Sequence, residues 1–128
     1  MRSLHHTHLM SSDLDAAVDF YVEHFGGEVV ADLDFAGARN VFVRVGRGAL
    51  HFYDQPPNHR GPVNHLGMLI EDLDACVGEL VAAGHRPRPI ADTGAGRYAM
   101  VEGPDGVLLE LFEPPPGLPP SLRDYFGT

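Results

Sequence analysis

Residues 12–18 read SDLDAAV and residues 71–77 read EDLDACV, identical at five of seven positions. Asp13, Leu14, Asp15, Ala16 and Val18 recur, 59 positions later, as Asp72, Leu73, Asp74, Ala75 and Val77. A chain of 128 residues with one such internal repeat is expected to build two similar halves that share a core. The same shift carries His6 onto His65 and His51 onto Glu110. Four metal-capable side chains thus fall into two pairs at one offset. A chance surplus among the eight histidines would not be expected to do this.

Each half follows one pattern. Residues 4–10 and 64–70 are short, mostly apolar runs suited to strands. Ser12 or Asp13 in one half, and Asp72 in the other, then offer a helix N-cap. Leu14, Ala17, Val18, Tyr21, Val22 and Phe25 recur at helical spacing, as do Leu73, Cys76, Val77, Leu80 and Val81. Gly26-Gly27 and Gly84 stop these helices. Three strands are predicted after each helix: 28–35, 40–45 and 49–53 in one half, 86–91, 97–102 and 107–112 in the other. Turns are expected at Gly37, Gly46–Gly48, Thr93–Gly96 and the run Gly103-Pro104-Asp105-Gly106, which would aim Glu110.

The expectation is an α+β chain forming a single domain over 1–128. It has βαβββ modules at 4–54 and 64–113, a linker at 55–63 and a Pro-rich tail at 114–128. The tail's prolines exclude a central strand or helix, and Leu122, Tyr125 and Phe126 are placed to anchor its end. A four-stranded half cannot bury both sheet faces. Two halves can pair into a curved mixed sheet, within one chain or across a dimer.

Composition removes several classes of function. Nine Lys and Arg stand against eighteen Asp and Glu, a net charge of −9, so no basic patch suits nucleic acid. No apolar run approaches the roughly 20 residues that span a bilayer. The N-terminus lacks a signal-peptide core, and the single cysteine, Cys76, can form no internal disulfide; the expected location is the cytoplasm.

His6 and His65 fall on the first strand of each half, His51 and Glu110 on the last. Imidazole and carboxylate donors suit one divalent first-row ion per site: Fe, Ni, Co, Zn or Mn. Four protein ligands in an octahedral shell leave two positions for adjacent oxygens of a small-molecule substrate.

The opening H-T-H-L-M-S-S-D-L-D-A-A-V-D-F-Y (6–21), its echo H-L-G-M-L-I-E-D-L (65–73) and the closing G-P-D-G-V-L-L-E-L-F-E (103–113) resemble the vicinal oxygen chelate superfamily. That group includes glyoxalase I, methylmalonyl-CoA epimerase, extradiol dioxygenases and bleomycin-binding proteins. The resemblance implies the glyoxalase-like fold and a homodimer. It also implies His6, His65 and Glu110 as recurrent ligands, with His51 at the fourth position.

It further implies a metal-dependent lyase or isomerase. The ion would chelate vicinal oxygens and stabilise the enediolate left when a proton departs. Glu110, His8 and Glu102 are the candidate bases, in that order, and His8, Tyr53, Tyr98 and Met100 the candidate substrate contacts. His5, His24, His59 and His85 are expected at the surface. One alternative is an Fe(II) extradiol-type dioxygenase built on His6, His65 and Glu110, with His51 as acid–base residue. Another is a non-catalytic antibiotic-binding or resistance protein, against which the four retained ligand-capable residues argue. A fosfomycin-type thiol transferase is disfavoured because the second half has no lysine.

Overall fold

The structure is a computed structural model describing residues 2–58, 61–103 and 107–127. Its elements run β1 (Arg2–Ser11), α1 (Leu14–Phe25), β2 (Glu28–Phe35), β3 (Ala38–Val45), β4 (Gly48–Asp54), β5 (Val63–Ile70), α2 (Leu73–Ala82), β6 (Ala91–Asp92), β7 (Arg97–Glu102), β8 (Leu108–Glu113) and α3 (Pro120–Phe126). They form two compact units. One comprises His6–Asn64 with Pro119–Thr128, the other Met1–His5 with His65–Leu118.

In the first unit the strands are ordered β2-β3-β4-β1, with β1 parallel to β4 and the other pairs antiparallel. Alternation along each strand sends Val41, Val43 and Phe52 to the side covered by Leu14 and Val18 of α1, and these five residues are the core. In the second unit the order is β5-β8-β7-β6, and β5 is again parallel to the last strand, β8. Ile70, Ala99, Val101 and Leu111 pack there on Leu73 and Cys76 of α2. Each fully buried large side chain contributes about 1.5–3 kcal/mol.

The repeat extends to details of the helix starts. Asp13 Oδ1 accepts from the Ala16 amide at 3.1 Å, and Asp72 Oδ1 from the Ala75 amide at 3.0 Å. Each cap is worth about 1 kcal/mol. One residue pair further on, Arg39 donates to Asp15 at 2.8 Å and Arg97 to Asp74 at 2.9 Å, tying each helix's first turn to a strand.

Arg39 also engages both carboxylate oxygens of Asp32, at 2.9 and 2.7 Å. This donation holds the Asp32 carboxyl below its ordinary range. A depressed native pKa contributes stability above the unfolded value of about 3.9 and loses it as pH falls through the native value. Asp32→Asn is therefore expected to flatten the acid side of the stability curve, read as the urea midpoint between about pH 5 and pH 2. A slope unchanged from the parent would show that the pair is fully screened.

Three expectations need correction. The strand expected at 86–91 is reduced to Ala91–Asp92. Pro87 and Pro89 have no amide hydrogen, and ahead of Ala91 the Arg88 amide donates to the Met100 carbonyl on β7 at 2.8 Å. The tail ends in α3, because every proline precedes Ser121 and Pro120 occupies a first-turn position that needs no donor. Tyr125 and Phe126 anchor α3, the Tyr125 hydroxyl donating to the Leu50 carbonyl at 3.0 Å, while Leu122 is half-buried. Val22 and Phe25 belong to the apolar stripe of α1 by spacing yet are exposed, whereas Leu14, Val18 and, in part, Tyr21 pack on the core residues of β3 and β4. The proposed turn at Pro104-Asp105-Gly106, and His59, lie outside the described residues.

Candidate metal centre

The strand face opposite each helix carries the polar residues. In the first unit β1–β4 register sets His8 opposite His51 and Met10 opposite Tyr53, and β3–β4 register sets Phe42 opposite His51. His6 and His8, two apart on β1, therefore share a face with His51. Both are buried and His51 is half-buried. One ligand atom from each of these three lies within 4.8 Å of the others.

His51 is held on three sides. Its ring stacks on Phe42, centroids 4.5 Å apart and planes 19° from parallel. Its Nδ1 lies 3.2 Å from His8 Nδ1, and its Nε2 lies 2.6 Å from Asn40 Oδ1. Asn40 is itself buried, and its Nδ2 donates to the Phe35 and Ala38 carbonyls, both at 3.0 Å. Those carbonyls flank the β2–β3 turn, where Ala36 has a positive φ of 54°. The Tyr53 hydroxyl pins the same turn by donating to the Ala36 carbonyl at 2.5 Å. A non-glycine residue in this left-handed region costs about 1–2 kcal/mol, which the two side-chain anchors offset. Tyr53, a candidate substrate contact, thus has its hydroxyl committed to the backbone.

In the second unit His65 sits on β5 and Glu110 on β8. Gly67 is opposite Glu110, so His65 and Glu110 share a face. His65 Nε2 and Glu110 Oε2 are 3.3 Å apart. That is longer than the roughly 2.7–2.9 Å of a charge-assisted hydrogen bond. It matches two ligands on one ion: bonds of about 2.0–2.2 Å enclosing about 100° give this separation. By donor chemistry and by spacing, the residues fit a divalent first-row metal ion.

The remaining candidates lie on β7. Met100 is directly opposite Glu110, while Tyr98 and Glu102 occupy the same face one step to either side. Tyr98 and Met100 are half-buried and Glu102 is exposed. Met100 and Glu102 also line a cleft of about 370 Å³ with Gly84, His85, Arg86, Arg88, Val101 and Leu108. His24 and His85 are exposed and His5 is half-buried.

Sequence reasoning missed Asn40 and Phe42. The available signal was a lone amide opening the apolar run Asn40–Val45, at the parity of Phe42 rather than of Val41 and Val43.

The profile of the Glyoxalase/Bleomycin resistance protein/Dioxygenase superfamily matches residues 3–111. The chain belongs to this superfamily. The uncharacterized protein YwkD of Bacillus subtilis (strain 168) is 27% identical over 129 residues, covering 88% of this chain and 98% of that protein. Among solved structures, methylmalonyl-CoA epimerase from Mycobacterium tuberculosis is 26% identical, with a TM-score of 0.75 over 88% of each chain. A hypothetical protein from Bacillus halodurans C-125 shares the fold, with a TM-score of 0.79 at 14% identity over 92% of this chain and 98% of its own. So does a Streptomyces coelicolor methylmalonyl-CoA epimerase in complex with 2-nitronate-propionyl-CoA, with a TM-score of 0.73 at 23% identity over 92% and 98%. No helix among the described residues is long and apolar enough to cross a membrane.

Proposed function

We propose that this superfamily member is a metal-dependent isomerase of epimerase type. Its substrate is an acyl thioester whose acidic carbon lies between two carbonyl groups. Its candidate ligands are two pairs, His6 with His51 in one unit and His65 with Glu110 in the other. The observation that carries the reading is the His65–Glu110 pair at ligand spacing on β5 and β8. The 59-residue symmetry that equates it with His6 and His51 supports both pairs as ligands, and the likeness to the Mycobacterium tuberculosis epimerase supports the reaction class.

When bound, the ion acts as a Lewis acid toward the two neighbouring substrate oxygens and stabilises the negative charge that develops on them. The protein supplies the base. Glu110 is the first candidate, a half-buried carboxylate 3.3 Å from His65 Nε2. Glu102, exposed on the same face of β7, is positioned to pass protons between solvent and that carboxylate. Tyr98 and Met100 contribute wall. The acidic net charge gives no long-range attraction for an anionic thioester, so the ion must supply the local positive field.

The test is anaerobic purification of untagged protein, metal analysis by mass spectrometry, and incubation with methylmalonyl-CoA in deuterated buffer. About one ion per chain and incorporation of deuterium at the carbon between the carbonyls are expected. Oxygen uptake with a catechol under Fe(II), without deuterium incorporation, would replace this reading with the dioxygenase.

A further inference from the structure

The register repeats as faithfully as the sequence. His8 opposite His51 in one half corresponds to Gly67 opposite Glu110 in the other. His8 is thus an added imidazole where the second half carries no side chain, and it is buried against His51.

Asn40 decides which His51 nitrogen is available. Its Nδ2 donates to two backbone carbonyls, so the amide cannot be reversed and Oδ1 must face His51. An amide oxygen only accepts, hence His51 Nε2 carries the proton. Neutral His51 then presents its lone pair at Nδ1, the atom 3.2 Å from His8 Nδ1. Two imidazole nitrogens bound to one ion at about 2.0–2.1 Å with an angle near tetrahedral stand about 3.3–3.4 Å apart. The pair is already spaced for chelation, and His6 lies within ligand reach of both.

We propose that His6, His8 and His51 form a three-imidazole site for a borderline divalent ion such as zinc or nickel within one compact unit, with His8 and His51 ligating through Nδ1 and Asn40 fixing the His51 tautomer. His8 becomes a ligand by shifting its single proton to Nε2, with no net proton released. Phe42 stacked on His51 keeps the ring plane aligned. The inference deepens the metal-dependent reading above, but requires neither His65 nor Glu110 to retain the ion. Asn40 is a positioning residue, and orienting partners of ligating histidines typically carry a factor of about 10–100 in metal affinity.

The test uses full-length protein and zinc, titrated against a chromophoric chelator. The double variant His65→Ala/Glu110→Gln is expected to keep one zinc, within about tenfold of wild-type affinity. His8→Ala and His8→Gln are expected to lose about 100-fold or more, and Asn40→Ala about 10–100-fold. Nitrogen-15 spectra of the zinc-free wild type should show His51 protonated at Nε2 and bare at Nδ1, with Nδ1 shifting when zinc is added. These spectra need no variant to fold. Wild-type affinity in both His8 variants, zinc lost from the double variant, or a proton on His51 Nδ1 would each overturn the proposal. Zinc retained in the double variant with no deuterium exchange in wild type would sink the epimerase reading and leave this site standing.

Discussion

Glu110→Gln is expected to lower deuterium exchange into methylmalonyl-CoA by about 10²–10⁴-fold, the usual worth of a positioned acid–base group. Glutamine keeps the size and a ligating oxygen but cannot take a proton. Glu110 is half-buried on β8, opposite Met100 on one side and Gly67 on the other, so the amide fits without new crowding. The measurement pairs the exchange rate with metal content. If His6, His8 and His51 anchor the ion, the variant keeps its metal while the rate collapses. A variant that keeps both metal and full exchange excludes Glu110 as base and as essential ligand. The exposed Glu102 provides the contrast: Glu102→Gln is expected to cost far less than Glu110→Gln if it only relays protons that bulk water also supplies.

Phe52→Ala is expected to destabilise the protein by about 3–5 kcal/mol, measured by urea denaturation. Phe52 is 1% exposed and packs among Leu14, Val18, Val41 and Val43, with its ring 5.6 Å from that of Tyr21. Truncation removes its transfer free energy and leaves a cavity that a sheet held by backbone bonds on both sides cannot close. Because Phe52 follows His51 on β4, the same variant tests whether the core sets the proposed metal site. Its side chain points to α1 while His51 points away, so zinc affinity under folding conditions is expected to stay near wild type. A cost below about 1 kcal/mol would mean that the first unit does not depend on this contact.

Much of this protein is written in short-range chemistry. The helix starts were legible because Asp13 and Asp72 cap locally, within three residues of the amides they accept from. The paired ligand-capable positions were legible because a repeat at one offset transfers strand and parity together. His6 and His8 could be placed on one face from spacing alone, since strand side chains alternate.

Other features depend on what each residue meets across the sheet. The same periodicity that marks Leu14 and Val18 marks Val22 and Phe25, yet only the first two are buried. Proline content pointed away from regular structure in the tail, but position within the tail mattered more, and α3 forms where the prolines end. The roles of Asn40 and Tyr53 could not be read from their own neighbours in the chain. Both act through the β2–β3 turn and a register that only strand pairing defines.

The sequence by itself determined the two-fold repeat, the strand–helix–strand order within each half, the superfamily and the ligand-capable residues, because these follow from local spacing and from one offset. Only the tertiary structure decided that His8 faces His51 nitrogen to nitrogen, that Asn40 dictates which of those nitrogens carries a proton, and that Tyr53 serves a backbone turn. Hydrogen-bond direction depends on partners brought together from β1, β3 and β4, and no spacing along a single strand encodes it.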